Sequence, residues 1–327
     1  VNLVIKNYSF RKIKDCQQSY ICQQSVTVFI DCFFIFLNTL YCDTMIFLIL
    51  LLFVLMLTNQ ALINKTVIEV TTNWFYNLLP ALYPSMVLTS LIIDNKTINF
   101  FLNYIYTKFE SIIFFNNSKT LFIFLISLIC GAPASTKLIM DSYNNQSISI
   151  NDSKLLIYIT PTFSLSYVIY IFNLFDINSY IIIYFILTIL VQLIFLKILT
   201  KRNNEAPKIN KKTSQSFFTI IDKSTNIILS ILGIMIIFNL ALKLLKIPNS
   251  LYILFEPLCG QRELLNLKIN KKLRDILLFF SLSFQGLSIH IQIKYVSNLI
   301  NIFKLILFRL VFAIIVVVFF YLFTVFI

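Results

Sequence analysis

The chain has 327 residues, of which 58% are hydrophobic and 13% charged, with a mean hydropathy of +0.85. Soluble domains carry about a quarter charged residues, so this composition excludes an ordinary soluble protein and predicts a polytopic membrane protein. The net charge of +13 sits in short loops between apolar runs, the pattern of cytoplasmic membrane loops, and no basic domain outside the spans is left to bind nucleic acid.

In chain order, residues 1–44 read apart from the rest, because the first methionine is Met45 and it opens the apolar run MIFLILLLFVLML. Two readings of this segment stay open: translation from a non-standard start with an extra apolar stretch, Val26–Tyr41, or a true start at Met45. Residues 45–200 form an expected first membrane half. A helix needs about 20 apolar residues to cross the hydrocarbon core. The expected spans are Met45–Ile63, Trp74–Ile93, Leu155–Leu174, Tyr180–Leu199, Asn226–Leu245 and Leu305–Ile327. Strand-like alternation is missing from these runs, so the fold class is all-α. Asn99–Phe115, interrupted by Lys108 and Glu110, reads as a span or as an interfacial helix. The two prolines of NLLPALYPS predict a kink, and Trp74 an interfacial anchor.

Residues 201–216 form a basic cytoplasmic loop, with five basic residues against one acidic in Lys201–Lys212. It separates the first half from a second, residues 217–327. Lys268–Arg274 is the next basic cluster and is expected on the same side. Lys294, Lys304 and Arg309 follow the polar stretch, so Ile276–Ile293 is expected to enter and return as a hairpin that keeps both basic flanks inside, and the same argument applies to Leu121–Leu138, between Lys119 and Lys154. The architecture predicted is about seven transmembrane helices plus two broken or re-entrant segments in two related halves.

Polar residues inside these apolar runs need a reason, since an unsatisfied polar group in hydrocarbon costs several kcal/mol. In CGAPASTK, Gly131 and Pro133 interrupt a helix and Ser135, Thr136 and Lys137 follow; a solute site and a plain kink with a snorkelling lysine both fit. In SFQGLSIHIQ, Gly286 permits a tip or a close approach, with Ser288, His290 and Gln292 beyond it. The only histidine has an unperturbed pKa close to physiological pH, and it fits a proton carrier, a solute ligand or a packed core residue. FEPLCG adds Glu256 and Gly260; Glu256 inside an apolar run needs a partner, and Lys137 is the candidate. With one histidine and no CxxC spacing, neither a zinc site nor another cofactor is expected. Soluble-enzyme motifs are missing as well, which argues against an enzyme.

Taken in order, WFYNLLPALYPSMVLTSLI, CGAPASTKLIMD, LLIYITPTF, the basic midpoint, FEPLCG and SFQGLSIHIQ resemble the sporulation integral membrane protein YlbJ family. That family belongs to the nucleoside-recognition, or Gate, domain membrane proteins and has a SpoVV-like branch. The resemblance covers about Thr71–Phe323. It rests on Gly131, Pro133, Lys137, Leu138, Pro161, Phe163, Glu256, Gly260, Phe284, Gly286, Leu287, Ser288, His290 and Gln292. Departures are Ser135 for a glycine, Leu156, Ile157 and Tyr158 for Cys-Asn-Asn, Leu258 and Cys259 for Thr-Asn, and Gln285 for a glycine. The resemblance implies a protein of the bacterial cell or forespore membrane that carries a small polar or anionic, dipicolinate-like solute. The substrate-binding set expected is Gly131, Pro133, Ser135, Thr136, Lys137, Glu256, Gly260, Gly286, Ser288, His290 and Gln292. The lost polar positions keep a competing reading open: a non-transporting structural or assembly protein. Expected partners are the bilayer and the solute, and a homo-oligomer is compatible with both readings.

Overall fold

The computed structural model describes residues 53–92, 96–109, 118–199 and 216–326. Contacts divide the chain into Val1–Gln60, in which residues 53–58 are helical, and Ala61–Ile327. The expected extension 1–44 and the basic loop Lys201–Lys212 lie outside the described residues. Every regular element described is helical: α1 Gln60–Asn73, α2 Leu79–Ile92, α3 Lys96–Phe109, α4 Ser118–Cys130, α5 Ala134–Asn144, α6 Ile150–Ile159 and α7 Leu165–Leu174 in the first part. Then come α8 Ile181–Leu199, α9 Phe217–Leu244, α10 Tyr252–Phe255, α11 Pro257–Asn266, α12 Lys271–Phe284, α13 Gly286–Val296 and α14 Ile302–Phe326.

Five helical stretches among the described residues are long and apolar enough to cross a membrane: Gln60–Ile92, Asn178–Leu199, Phe217–Leu244, Lys271–Val296 and Ile302–Val325. In Lys271–Val296 72% of the most apolar window is buried, against 28–33% in the other four, so this stretch is the centre about which the others pack. Its polar residues therefore meet protein, as expected for polar groups at membrane depth.

Local sequence explains where the helices stop. The two prolines near Asn77–Ser85 follow a π-helical turn, Trp74–Leu78, that joins α1 to α2. Trp74 is buried there, inside the bundle and not at an interface. Leu155–Leu174, expected as one span, is broken at residues 160–164, where Pro161 ends α6 and the Ser164 side chain caps α7 by accepting from Tyr167 N. The Asn99–Phe115 region gives the 14-residue α3, about 20 Å long and too short to cross unaided.

Two hairpins and two broken helices organise the interior. Helices α4 and α5 pack side by side, so Gly131–Pro133 is a hairpin tip, whereas α6 and α7 diverge from their break. In the second part α10 packs on α11, with Gly260 so close to Ile253 that a Cβ would fall 2.4 Å from its nitrogen. Helices α12 and α13 do not pack side by side. A hairpin stands at Tyr252–Asn266 and not at Ile276–Ile293, and Lys271–Val296 is a helical stretch long and apolar enough to cross, broken at Gln285 and Gly286, both left-handed.

Each hairpin tip touches its own broken helix. Ala132 N donates to Thr162 O at 2.7 Å, and a Cβ on Gly131 would lie 2.2 Å from Ser164 N. On the other side a Cβ on Gly286 would lie 2.8 Å from Pro257 Cδ. Both glycines have φ near +70°, which other residues adopt only with strain.

Ring contacts fix the directions. Phe195 packs on Phe308 and Phe312 while Tyr180 packs on Phe320, so α8 and α14 are antiparallel. Lys272 lies over Tyr321 and Phe279 stacks on Phe320 at 3.7 Å, so α12 also runs against α14. Leu199 and Phe217, which flank residues 200–215, therefore lie at the end where α14 starts, and Lys271 lies at the other. Lys268–Arg274 therefore stands at the opposite end of the bundle from Leu199 and Phe217, with α9 and the returning segment Tyr252–Asn266 between them.

Candidate functional site

A cavity of about 20 Å³ lies where the two parts meet. The first hairpin tip supplies Ala132 and Pro133, and the first helix break supplies Phe163, Ser164 and Tyr167. Leu78 and Leu82 come from the π turn and α2, Ile231 and Met235 from α9, and Ile289 and Gln292 from α13. The volume admits about one water molecule, which needs at least 10–15 Å³, and is far below the 300 Å³ at which ligand pockets begin.

Of the residues selected from sequence, Pro133 and Gln292 share this cavity, and they come one from each half. Gly131 forms the adjoining tip. Ser135 and Thr136 are fully buried in the first turn of α5, and their hydroxyls make no hydrogen bond among the described residues. Ser288 is buried in the same condition on α13. Gly260 and Gly286 allow close backbone approach and have no side chain to offer a solute.

Three charged or titratable candidates lie elsewhere. Lys137 Nζ donates to Ser90 Oγ at 2.7 Å and pairs with Asp141 Oδ2 at 3.0 Å, one helical turn along, so its charge is matched locally. Glu256 does not reach it: its carboxylate caps α11 by accepting from Cys259 N at 2.7 Å. Proline at the first helical position and an acidic residue before it are a strong helix start, which accounts for a carboxylate in an apolar stretch. His290 packs edge-on against Phe284, ring centres 5.1 Å apart, and is turned from the cavity that Ile289 and Gln292 face. Among the described residues neither ring nitrogen completes a hydrogen bond of normal geometry, although the Phe284 backbone stands beside the ring.

Sequence reasoning missed two features. Tyr167 donates to Gln261 Oε1 at 2.6 Å and Gln261 Nε2 donates to Ser281 Oγ at 3.1 Å, a buried chain from α7 through α11 to α12. Arg309, fully buried on α14, was read only as flanking positive charge. A lone arginine inside the apolar run Ile302–Phe326, with no acidic residue in that run, was the available signal. No family model, curated protein or solved structure matches the chain.

Proposed function

We propose that this chain carries a small polar or anionic solute across a membrane, with the solute passing where the first hairpin tip meets α13. The observation that carries this reading is the repeated pairing of a hairpin with a broken helix. The first hairpin and its broken helix, α6–α7, run from the end of the bundle where α14 starts; the second pair, ending in α12–α13, runs from the other end. Interrupted helices in two halves of opposite direction are the arrangement in which transporters bind solute at mid-membrane. It supports two related halves with re-entrant segments. The buried hydroxyls of Ser135, Thr136 and Ser288, each without a bond among the described residues, stand at these interruptions and favour contact with water or solute.

The proposed family, the YlbJ-like sporulation membrane proteins, gains physical support from Gln285. This residue is left-handed, φ 73°, where the family pattern has a glycine. A dipicolinate-like dicarboxylate and a forespore or cell-membrane location follow from that resemblance as part of the proposal.

One observation favours the competing structural role: the cavity holds about one water and is lined mainly by apolar side chains. Transport therefore requires the hairpin tip and α13 to separate. Uptake of dipicolinate, acetate and nucleosides into vesicles containing the purified protein tests the reading. Saturable uptake of any of them above protein-free vesicles is expected; none would leave the structural role.

A further inference from the structure

We propose that Arg309 is the centre of a buried binding site for one small anion, a carboxylate, nitrate or halide. Arg309 sits on α14, about 10 Å along the helix from Ile302, and is fully enclosed by protein. Its Nη2 donates to the Ser283 carbonyl at 2.5 Å, and its guanidinium lies 4.5 Å from the centre of the Phe312 ring. Nε and Nη1 have no acceptor among the described residues. No Asp or Glu among the described residues forms a salt bridge with it; the ionisable groups acting on it are Tyr184 and His290.

Arginine keeps its charge in proteins, so neutralisation by proton loss is closed to it. The Ser283 carbonyl belongs to the last turn of α12, whose end carries about half a negative charge at most. A ring face adds weak attraction. The remainder of a full positive charge is therefore unmatched in a protein interior. Water could occupy the free N–H groups without supplying the missing negative charge.

The neighbouring polar groups have the complementary chemistry. The Tyr184 hydroxyl, on α8, faces Arg309 and the Ser283 hydroxyl, and neither hydroxyl reaches a hydrogen bond of normal geometry. His290, on α13, lies within electrostatic reach of Arg309, and its ring stands beside the Phe284 backbone. Two guanidinium nitrogens and two hydroxyls are all donors, and an anion accepts from any of them. Lys137, the other buried cation considered, already has Asp141 beside it. The inference does not rest on transport, since the site would bind in a protein that moves nothing.

The test is equilibrium binding of radiolabelled acetate to the purified full chain in lipid nanodiscs at constant ionic strength, with nitrate and chloride as competitors. Saturable binding of one acetate per chain is expected, weakened at least tenfold in Arg309→Gln, partly restored in Arg309→Lys and weakened severalfold in Tyr184→Phe. Absence of saturable binding of all three anions to the wild-type chain overturns the proposal, as does binding unchanged in Tyr184→Phe and Arg309→Gln. Loss in Lys137→Gln with retention in Arg309→Gln would move the anion to the lysine and overturn it equally. Should Arg309→Gln fail to fold, the wild-type titration and Tyr184→Phe decide.

Discussion

The Tyr167 hydroxyl donates to Gln261 Oε1 at 2.6 Å and thereby joins the first broken helix to the arm of the second hairpin, 94 residues away in sequence. Both groups are buried, so removing one leaves the other without a partner. Tyr167→Phe and Gln261→Leu are each expected to destabilise the protein by about 1 kcal/mol, the scale of hydrogen bonds between membrane helices. A double-mutant cycle on thermal unfolding in detergent checks this: coupling is expected, and strict additivity would mean the halves are not joined here.

The tip glycine has a sharper requirement. Gly131→Ala places a Cβ 2.2 Å from Ser164 N at a φ of +69°, and backbone cannot step aside as a flexible side chain can. A loss of about 2–3 kcal/mol is expected from strain and overpacking. Gly233, inside α9 with open space around it, is the control: Gly233→Ala is expected to be neutral or stabilising by up to about 1 kcal/mol. Melting temperatures of the two variants, compared with wild type, separate them.

Gln285 carries the opposite expectation. It is left-handed and buried, and neither amide atom has a partner among the described residues. Gln285→Gly relieves backbone strain and removes two unsatisfied polar atoms, and is expected to gain about 1 kcal/mol. A fall in melting temperature would show that the amide is satisfied by something the protein binds.

Much of this architecture was legible because apolar length and helix breakers act locally. Gly131, Pro133, Pro161 and Gly286 mark the interruptions, and the chain stops its helices there. What could not be read was which interruption folds back. Ile276–Ile293 has a glycine and basic residues before and after it, yet the returning segment is Tyr252–Asn266, because Glu256 and Pro257 start a new helix that Gly260 lets lie against Ile253. The site was legible in Pro133 and Gln292, which are polar or helix-breaking. Its apolar walls, Leu78, Ile231 and Met235, look like any core residue, and the Lys137 partner proved to be the nearest acid along the same helix.

That correction sets the expected topology. Cysteine labelling in intact cells is expected to find Lys271→Cys and Asn298→Cys, both exposed positions, on opposite sides, because Lys271–Val296 is long and apolar enough to cross once. Labelling of both from the same side would restore the re-entrant reading of that segment.

The most direct measurement is solute uptake into vesicles with the first hairpin tip fastened to α13. Pro133 and Gln292 line one small cavity from opposite halves, so a Pro133→Cys, Gln292→Cys pair can be bridged with a short thiol cross-linker in a background lacking the native cysteines. The account predicts saturable uptake before bridging, loss of uptake once bridging is complete, and recovery when the linker is cleaved. Uptake unchanged by complete bridging would contradict it.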